Sequence, residues 1–153
     1  MKKLDQIDRK LLNLLQLNSR LTIRELSKQL FLSTTPIHER VKKLESSGYI
    51  KNYLTEIDPK LVGKKLIVYI SVSLNDHTKT AIETFEAQMN SLDEVMEAYY
   101  ISGNSDFLLK VHCEDMEDFH SFITHKLSVI NNISQFFSSF VMTESKVKRN
   151  FVL

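Results

Sequence analysis

At 153 residues, with 42% hydrophobic and 25% charged side chains, the chain has the balance of a globular protein of one domain or two small ones, not of a disordered segment. Its longest apolar run, LIVYISVSL, falls far short of the ~20 residues that span a bilayer, the start MKKLDQID lacks the apolar run of a secretory signal, and one cysteine, Cys113, leaves no intrachain disulfide framework. Residues 1–58 hold 11 Lys/Arg against 7 Asp/Glu while residues 59–153 hold 9 against 12, so the near-neutral total hides a basic first part, as phosphate binding requires.

Leu4, Ile7, Leu11, Leu14, Leu15 and Leu17 recur at helical spacing through LDQIDRKLLNLLQLN, with Asp5 and Asp8 near the positive end of the helix dipole. Thr22 and Glu25 have capping-box spacing and predict a second helix through Leu30. A third helix is expected from about Thr34 to Ser47, with Pro36 in its first turn and Gly48 as its stop. Two short helices this close, the second opening on hydroxyl residues and carrying bases, point to a helix-turn-helix, whose second helix enters the DNA major groove. The segment YIKNYLTEID is expected to form a strand or short wing, and Asp58-Pro59 punctuates a boundary.

Beyond that boundary the pattern changes. LIVYISVSL, EVMEAYYIS, FLLKVHC and ISQFFSSFVMT read as strands, and TKTAIETFEAQMNS and DMEDFHSFITHKL as helices with apolar faces. The order β-α-β-β-α-β is the ferredoxin-like pattern. The expected fold is therefore α+β: a winged helix-turn-helix over residues 1–59, then a ferredoxin-like domain over 60–153. Both helices of such a domain cover one sheet face. Leu66, Val68, Ile70 and Val72 alternate with Ile67 and Tyr69, and Ile133, Phe137 and Val141 with Phe136 and Phe140, so the strands are expected to be apolar on both sides. A bare apolar face predicts a homo-oligomer, with a sheet-to-sheet dimer as its unit.

The helix-turn-helix marks LDQIDRKLLNLLQLNSR, IRELSKQL and LSTTPIHERVKKLESSGYI, followed by the turn Ser102-Gly103-Asn104-Ser105-Asp106-Phe107 between two strands, resemble the Lrp/AsnC family of bacterial and archaeal transcription regulators. The first set is close to LS-x-TP-x-x-x-R-x-x-x-LE-x-x-G-x-I, and the turn to G-x-x-D-[YF]. The resemblance covers nearly the whole chain. It implies a cytoplasmic, sequence-specific DNA-binding regulator of a palindromic operator, and homodimers that assemble into tetramers or octamers. It also implies a small-molecule effector, an amino acid, bound between subunits. On this resemblance Ser33, Thr34, Thr35 and Pro36 open the recognition helix, with His38, Glu39, Arg40, Lys42 and Lys43 along it. Ser102, Gly103, Asn104, Ser105, Asp106 and Phe107 form the effector turn, with partners from the last strand region of a neighbouring subunit.

The sequence departs from the family pattern at two places. Phe31 stands where the family commonly has glycine, and predicts a different turn or an aromatic plug under the recognition helix. Asn104 and Ser105 are smaller than the residues often found there, and predict a different ligand or none.

Arg40, Lys42 and Lys43 are candidate phosphate or base contacts, since Arg bidentate to guanine discriminates by ~1–3 kcal/mol. Arg40→Ala and Lys43→Ala are expected to weaken operator binding with little effect on melting temperature. Asp106 suits the ammonium of an amino acid, or else caps its own turn. His112 and Cys113 are adjacent in a strand and His120 and His125 lack helical ligand spacing, so no metal site is expected. No nucleophile motif or phosphate-binding glycine loop appears, and neither an enzyme nor a cofactor is expected. Two rival readings are a sirohaem decarboxylase-like enzyme on the same architecture and an architectural DNA-compacting protein.

Overall fold

The computed structural model describes residues 4–153. The chain divides into two compact units: the first runs up to Glu56 and takes back Lys146–Leu153, and the second spans Ile57–Ser145.

The first unit holds α1 (Gln6–Leu17), α2 (Ile23–Leu30) and α3 (Thr34–Ser46). Sequence-local chemistry sets each start. Asp5 caps α1, accepting from the Asp8 N–H at 2.8 Å while Asp8 accepts from the Asp5 N–H. Thr22 and Glu25 form the predicted reciprocal box on α2, with the Thr22 N–H donating to Glu25 at 2.7 Å. Each satisfies helix-end donors that would otherwise be unpaired. Gly48, at φ 76, follows the last turn of α3 as predicted, and the Tyr49 N–H closes back on the Leu44 carbonyl.

Leu11, Leu12 and Leu15 from α1 meet Leu26 from α2 and Ile37, Val41 and Leu44 from α3 in one core. Each such side chain fully withdrawn from water contributes about 1.5–3 kcal/mol. Leu17, counted with the apolar stripe in sequence, lies at the end of α1 and is 74% exposed.

Two expectations change here. YIKNYLTEID forms no strand; a strand needs a ladder partner, and among the described residues the ladders join only the four strands of the second unit. Tyr53 instead donates its hydroxyl to Glu45 of α3 at 2.8 Å. Burial and then that carboxylate push the phenol up to about 12, so it stays a neutral donor. Residues 146–153, grouped in sequence with the second domain, return to α1. Gln16 bonds the Phe151 backbone N–H at 2.8 Å and its carbonyl at 3.2 Å, and Asn13 does the same with Leu153.

The second unit contains β1 (Leu66–Leu74), α4 (Lys79–Asn90), β2 (Val95–Tyr100), β3 (Phe107–Cys113), α5 (Met116–Phe122) with a π-helical turn over Ile123–Leu127, and β4 (Ile133–Phe140). The sheet order is β2-β3-β1-β4, with all neighbours antiparallel. This is the ferredoxin-like arrangement read from the element order. The π turn is closed by the Ser128 N–H on the Ile123 carbonyl at 2.9 Å. Val68, Ile70, Val72 and Leu74 of β1 join Phe107, Leu109 and Val111 of β3 beneath Phe85, Met89, Phe119 and Phe122 of the helices.

The opposite sheet face is less apolar than the sequence suggested. The register places Tyr69, Ser71 and Ser73 of β1 beside Ser139, Phe137 and Gln135 of β4. Lys110 of β3, opposite Glu97 of β2, pairs with its carboxylate at 3.4 Å. The irregularity at Ser73/Leu74 is the reason for part of the difference. An extra residue in β4 shifts its alternation, so Ile133 packs on the helix-covered core instead of sharing a face with Phe137. Phe136 and Phe140 also belong to the covered side, Phe140 lying 5.1 Å from Phe119 edge-to-face. Phe137 remains 64% exposed on the open face.

Candidate nucleic-acid interface and effector site

The core-facing positions of α3 dictate what its outer face offers. With Ile37, Val41 and Leu44 buried, helical geometry turns Thr35, His38, Glu39, Lys42, Lys43 and Ser46 outward. All six are exposed, as are Ser33, Thr34 and Pro36 at the start. Ser33 occupies the cap position yet its side chain makes no capping bond. Helix starts whose first amides lack an intrahelical partner are a usual phosphate-binding arrangement.

Arg40 behaves differently. It lies at the flank of α3, and its guanidinium reaches back to Asp5 and Asp8 of the α1 capping box at 2.6 Å each. Asp8 is nearly buried, its side chain only 5% exposed. Hydrogen bonds first to Asp5 and then to Asp8 raise the guanidinium pKa further. The structure therefore uses Arg40 to tie α3 to the start of α1, and the expectation that its loss leaves the melting temperature almost unchanged is corrected. Spacing alone did not reveal this; the signal was the pair of acids at the first turn of α1.

Phe31 adopts φ 55, ψ 41 at the end of α2. The left-handed backbone that glycine would permit is kept, so the turn is not rerouted. Its side chain is 93% exposed, which rules out the expected aromatic plug.

At the β2–β3 turn, Ser102, Gly103 and Asn104 are exposed, and Gly103 takes φ 146, a conformation that disfavours a side chain. Phe107 is a core anchor, 1% exposed, with its ring 4.6 Å from Phe85 and 5.1 Å from Tyr100. Asp106 is held from both ends of its backbone: its N–H donates to Val72 and its carbonyl accepts from Ile101. The carboxylate accepts from the Leu74 N–H at 2.8 Å. Both carboxylate oxygens also lie 3.0 Å from Nε2 of His77, a residue the sequence reading passed over. Asp106 is thus neither unpartnered nor capping its own turn.

A separate cleft of about 1120 Å³ opens in the first unit among α1, residues 49–56 and the C-terminal segment, with Leu12, Leu15, Ile50 and Phe151 in its lining. It contains none of the predicted site residues.

Comparison with known proteins agrees with both halves. A winged helix-turn-helix DNA-binding model matches residues 4–51, and an Lrp/AsnC ligand-binding domain model matches residues 67–151. The chain belongs to the Lrp/AsnC family. It is a helix-turn-helix transcriptional regulator of that type. The leucine-responsive regulatory protein of Escherichia coli K12 is 34% identical across 99% of this chain and 93% of its own length. The proline dehydrogenase transcriptional activator of Rhodobacter capsulatus is 34% identical, covering 96% and 95%. Among solved structures, a Neisseria meningitidis transcriptional regulator in complex with L-Met superposes with a TM-score of 0.90 at 35% identity, covering 95% of this chain and 94% of that one. E. coli AsnC gives 0.90 at 28% identity, covering 99% of each. Among the described residues, no helix of this Lrp/AsnC regulator is long and apolar enough to cross a membrane.

Proposed function

We propose that this regulator reads a palindromic operator as a homodimer through the outer face of α3, and that an amino acid bound at the Ser102–Phe107 turn biases its assembly or DNA binding. The observation that carries the DNA reading is the exposed face bearing Thr35, His38, Glu39, Lys42 and Lys43, led by an uncapped Ser33 with Thr34 and Pro36. Lys42 and Lys43 contact phosphate, while Ser33, Thr34, Thr35, His38 and Glu39 lie at base edges or adjoining backbone. Arg40 orients this face. Dimer symmetry puts two such helices ~34 Å apart or a multiple of it along the duplex.

Support for self-association comes from two exposed features. The open sheet face carries Tyr69, Tyr99, Leu108 and Phe137, and the strandless segment before it exposes Leu54 and Ile57 by 80% and 62%. Assembly to tetramers or octamers extends the same surfaces, and sedimentation of a monomer at micromolar concentration overturns it. The effector reading draws on the ligand-binding family model, on relatives named leucine-responsive, and on the neighbour solved with L-Met.

The test selects operators from a random duplex pool and measures specific and non-specific affinity across salt. A specificity ratio above about 10³ is expected of a regulator; a ratio near one indicates an architectural DNA-compacting protein instead. Thermal-shift screening of the twenty amino acids tests the effector arm, because a ligand of the native state raises its stability.

A further inference from the structure

The Asp106 carboxylate is not an open receptor in this chain. Its side chain is 21% exposed while His77, bonded to it, is 56% exposed, so the imidazole forms the solvent side of the pair. Nε2 lies equally close, 3.0 Å, to both oxygens, the position a ligand ammonium bridging the carboxylate would take. A further acceptor site of Asp106 is used by the Leu74 N–H.

The loop presenting His77 is itself well fixed. Asp76 accepts from the Thr78 N–H at 2.8 Å and from its hydroxyl. Asn132, from the α5–β4 connection, accepts from the Asp76 N–H and returns its amide to the Asp76 carbonyl. Asn75 donates its N–H to the Asn132 carbonyl at 2.8 Å. The backbone at residue 77 is therefore held from three neighbours, and only the half-exposed imidazole is left to swing.

We infer that His77 is a specificity-determining residue of the effector turn, occupying the ammonium position on Asp106 so that a ligand enters only by supplying a cation to replace the imidazole. This rests on the proposed reading of the turn as an amino-acid site. The ligand class follows: free α-amino acids qualify, whereas N-acetylated ones, with no ammonium, do not. An equilibrium in which the competing contact is usually formed lowers apparent affinity by the fraction of sites left open.

The experiment is isothermal titration of L-leucine, L-methionine and any other amino acid active in the thermal-shift screen, with their N-acetyl forms as controls. The full chain and its variants His77→Ala, His77→Gln and Asp106→Asn are compared, each first checked for a native melting transition. His77→Ala is expected to bind about 3- to 10-fold more tightly, the equivalent of removing one ordinary competing hydrogen bond. His77→Gln falls between it and the parent chain, and Asp106→Asn loses binding. Binding by His77→Ala alone, with the parent chain silent, also supports the inference. If Asp106→Asn loses binding but His77→Ala binds equally or more weakly, the turn remains the site and the role of His77 is overturned. If no amino acid binds any folded variant, or Asp106→Asn keeps the affinity of a parent chain that does bind, the reading of the turn itself fails and takes the inference with it.

Discussion

Along α3 the charged residues divide into two states, and the β2–β3 turn contains a third. Lys42 and Lys43 stand exposed on the outer face. Arg40, two and three residues away, is committed to two carboxylates of α1. Asp106 is committed as well, but its partner His77 is an exposed side chain of another loop. A long polyanion such as DNA meets charges that need no rearrangement, which suits fast electrostatic association. On the proposed reading, a small ligand at Asp106 must instead displace a partner, which makes its binding selective. Charge count alone treats all of these residues alike; what separates them is what each already touches.

Arg40 carries the largest expected effect. Removing its guanidinium leaves Asp8 nearly buried without a counter-charge, and an uncompensated buried charge is costly. With Arg40 itself partly solvated, Arg40→Ala should lower the stability of the helix-turn-helix unit by about 2 kcal/mol, below the range for fully buried pairs. Urea denaturation followed by circular dichroism checks this. A change under about 0.5 kcal/mol, the ordinary scatter of surface substitutions, combined with a large loss of operator affinity, would return Arg40 to the DNA-contacting set.

Lys42→Ala and Lys43→Ala should do the reverse. Each phosphate contact contributes about 0.9 to the slope of log affinity against log salt, so each variant binds roughly fivefold more weakly near physiological salt and loses about one unit of slope. Melting temperatures stay close to the parent value. An unchanged slope in both variants would show that the outer face of α3 meets no phosphate.

Much of the fold was legible because the deciding interactions are local. Thr22 with Glu25, Gly48 after α3, and the alternation of Val68, Ile70 and Val72 all act within a few residues of themselves. Most of the misreadings involve partners far along the chain. Arg40 finds Asp5 and Asp8 from 35 and 32 positions away, and Asn13 finds Leu153 from 140. Ile133 changed faces through a bulge that alternation cannot anticipate. His77 was recoverable in principle. Once β1 and β3 are antiparallel neighbours, the exit of β1 must lie beside the entry of β3, which brings NDHT next to GNSD. The residues of α3 were legible as a set, but which of them face outward was decided only by the packing of Ile37, Val41 and Leu44.

Acid should expose the capping boxes before the rest of the first unit. The Asp5 carboxyl is held below its usual range, first by the Asp8 backbone N–H and then by Arg40. Glu25 is held down first by the Thr22 N–H and then by the Thr22 hydroxyl. A depressed native pKa gives stability that is complete above the unfolded value, near 4 for these groups, and is lost as pH falls through the native one. Denaturation midpoints should therefore hold from pH 7 to about 5 and decline below about 4. Asp5→Asn and Glu25→Gln should each flatten that decline. A double variant with the full acid dependence of the parent would place the sensitivity elsewhere.

The smallest effect expected is a gain. Phe31 occupies the left-handed region at φ 55, where a Cβ costs roughly 1–2 kcal/mol, and its 93% exposure means that the ring recovers almost nothing by packing. Glycine removes that cost but has more backbone freedom to lose on folding, about 0.5–1 kcal/mol. Phe31→Gly should therefore stabilise the first unit by a net ~0.5 kcal/mol, as the difference of those terms, while Phe31→Ala, which keeps the Cβ, should change little. Because the backbone already takes the path glycine would take, the setting of α3 should be preserved and operator affinity should stay within about twofold, under 0.5 kcal/mol. A stability gain accompanied by a tenfold loss of affinity would mean that the exposed ring itself meets the DNA, and would move Phe31 from the turn to the reading face.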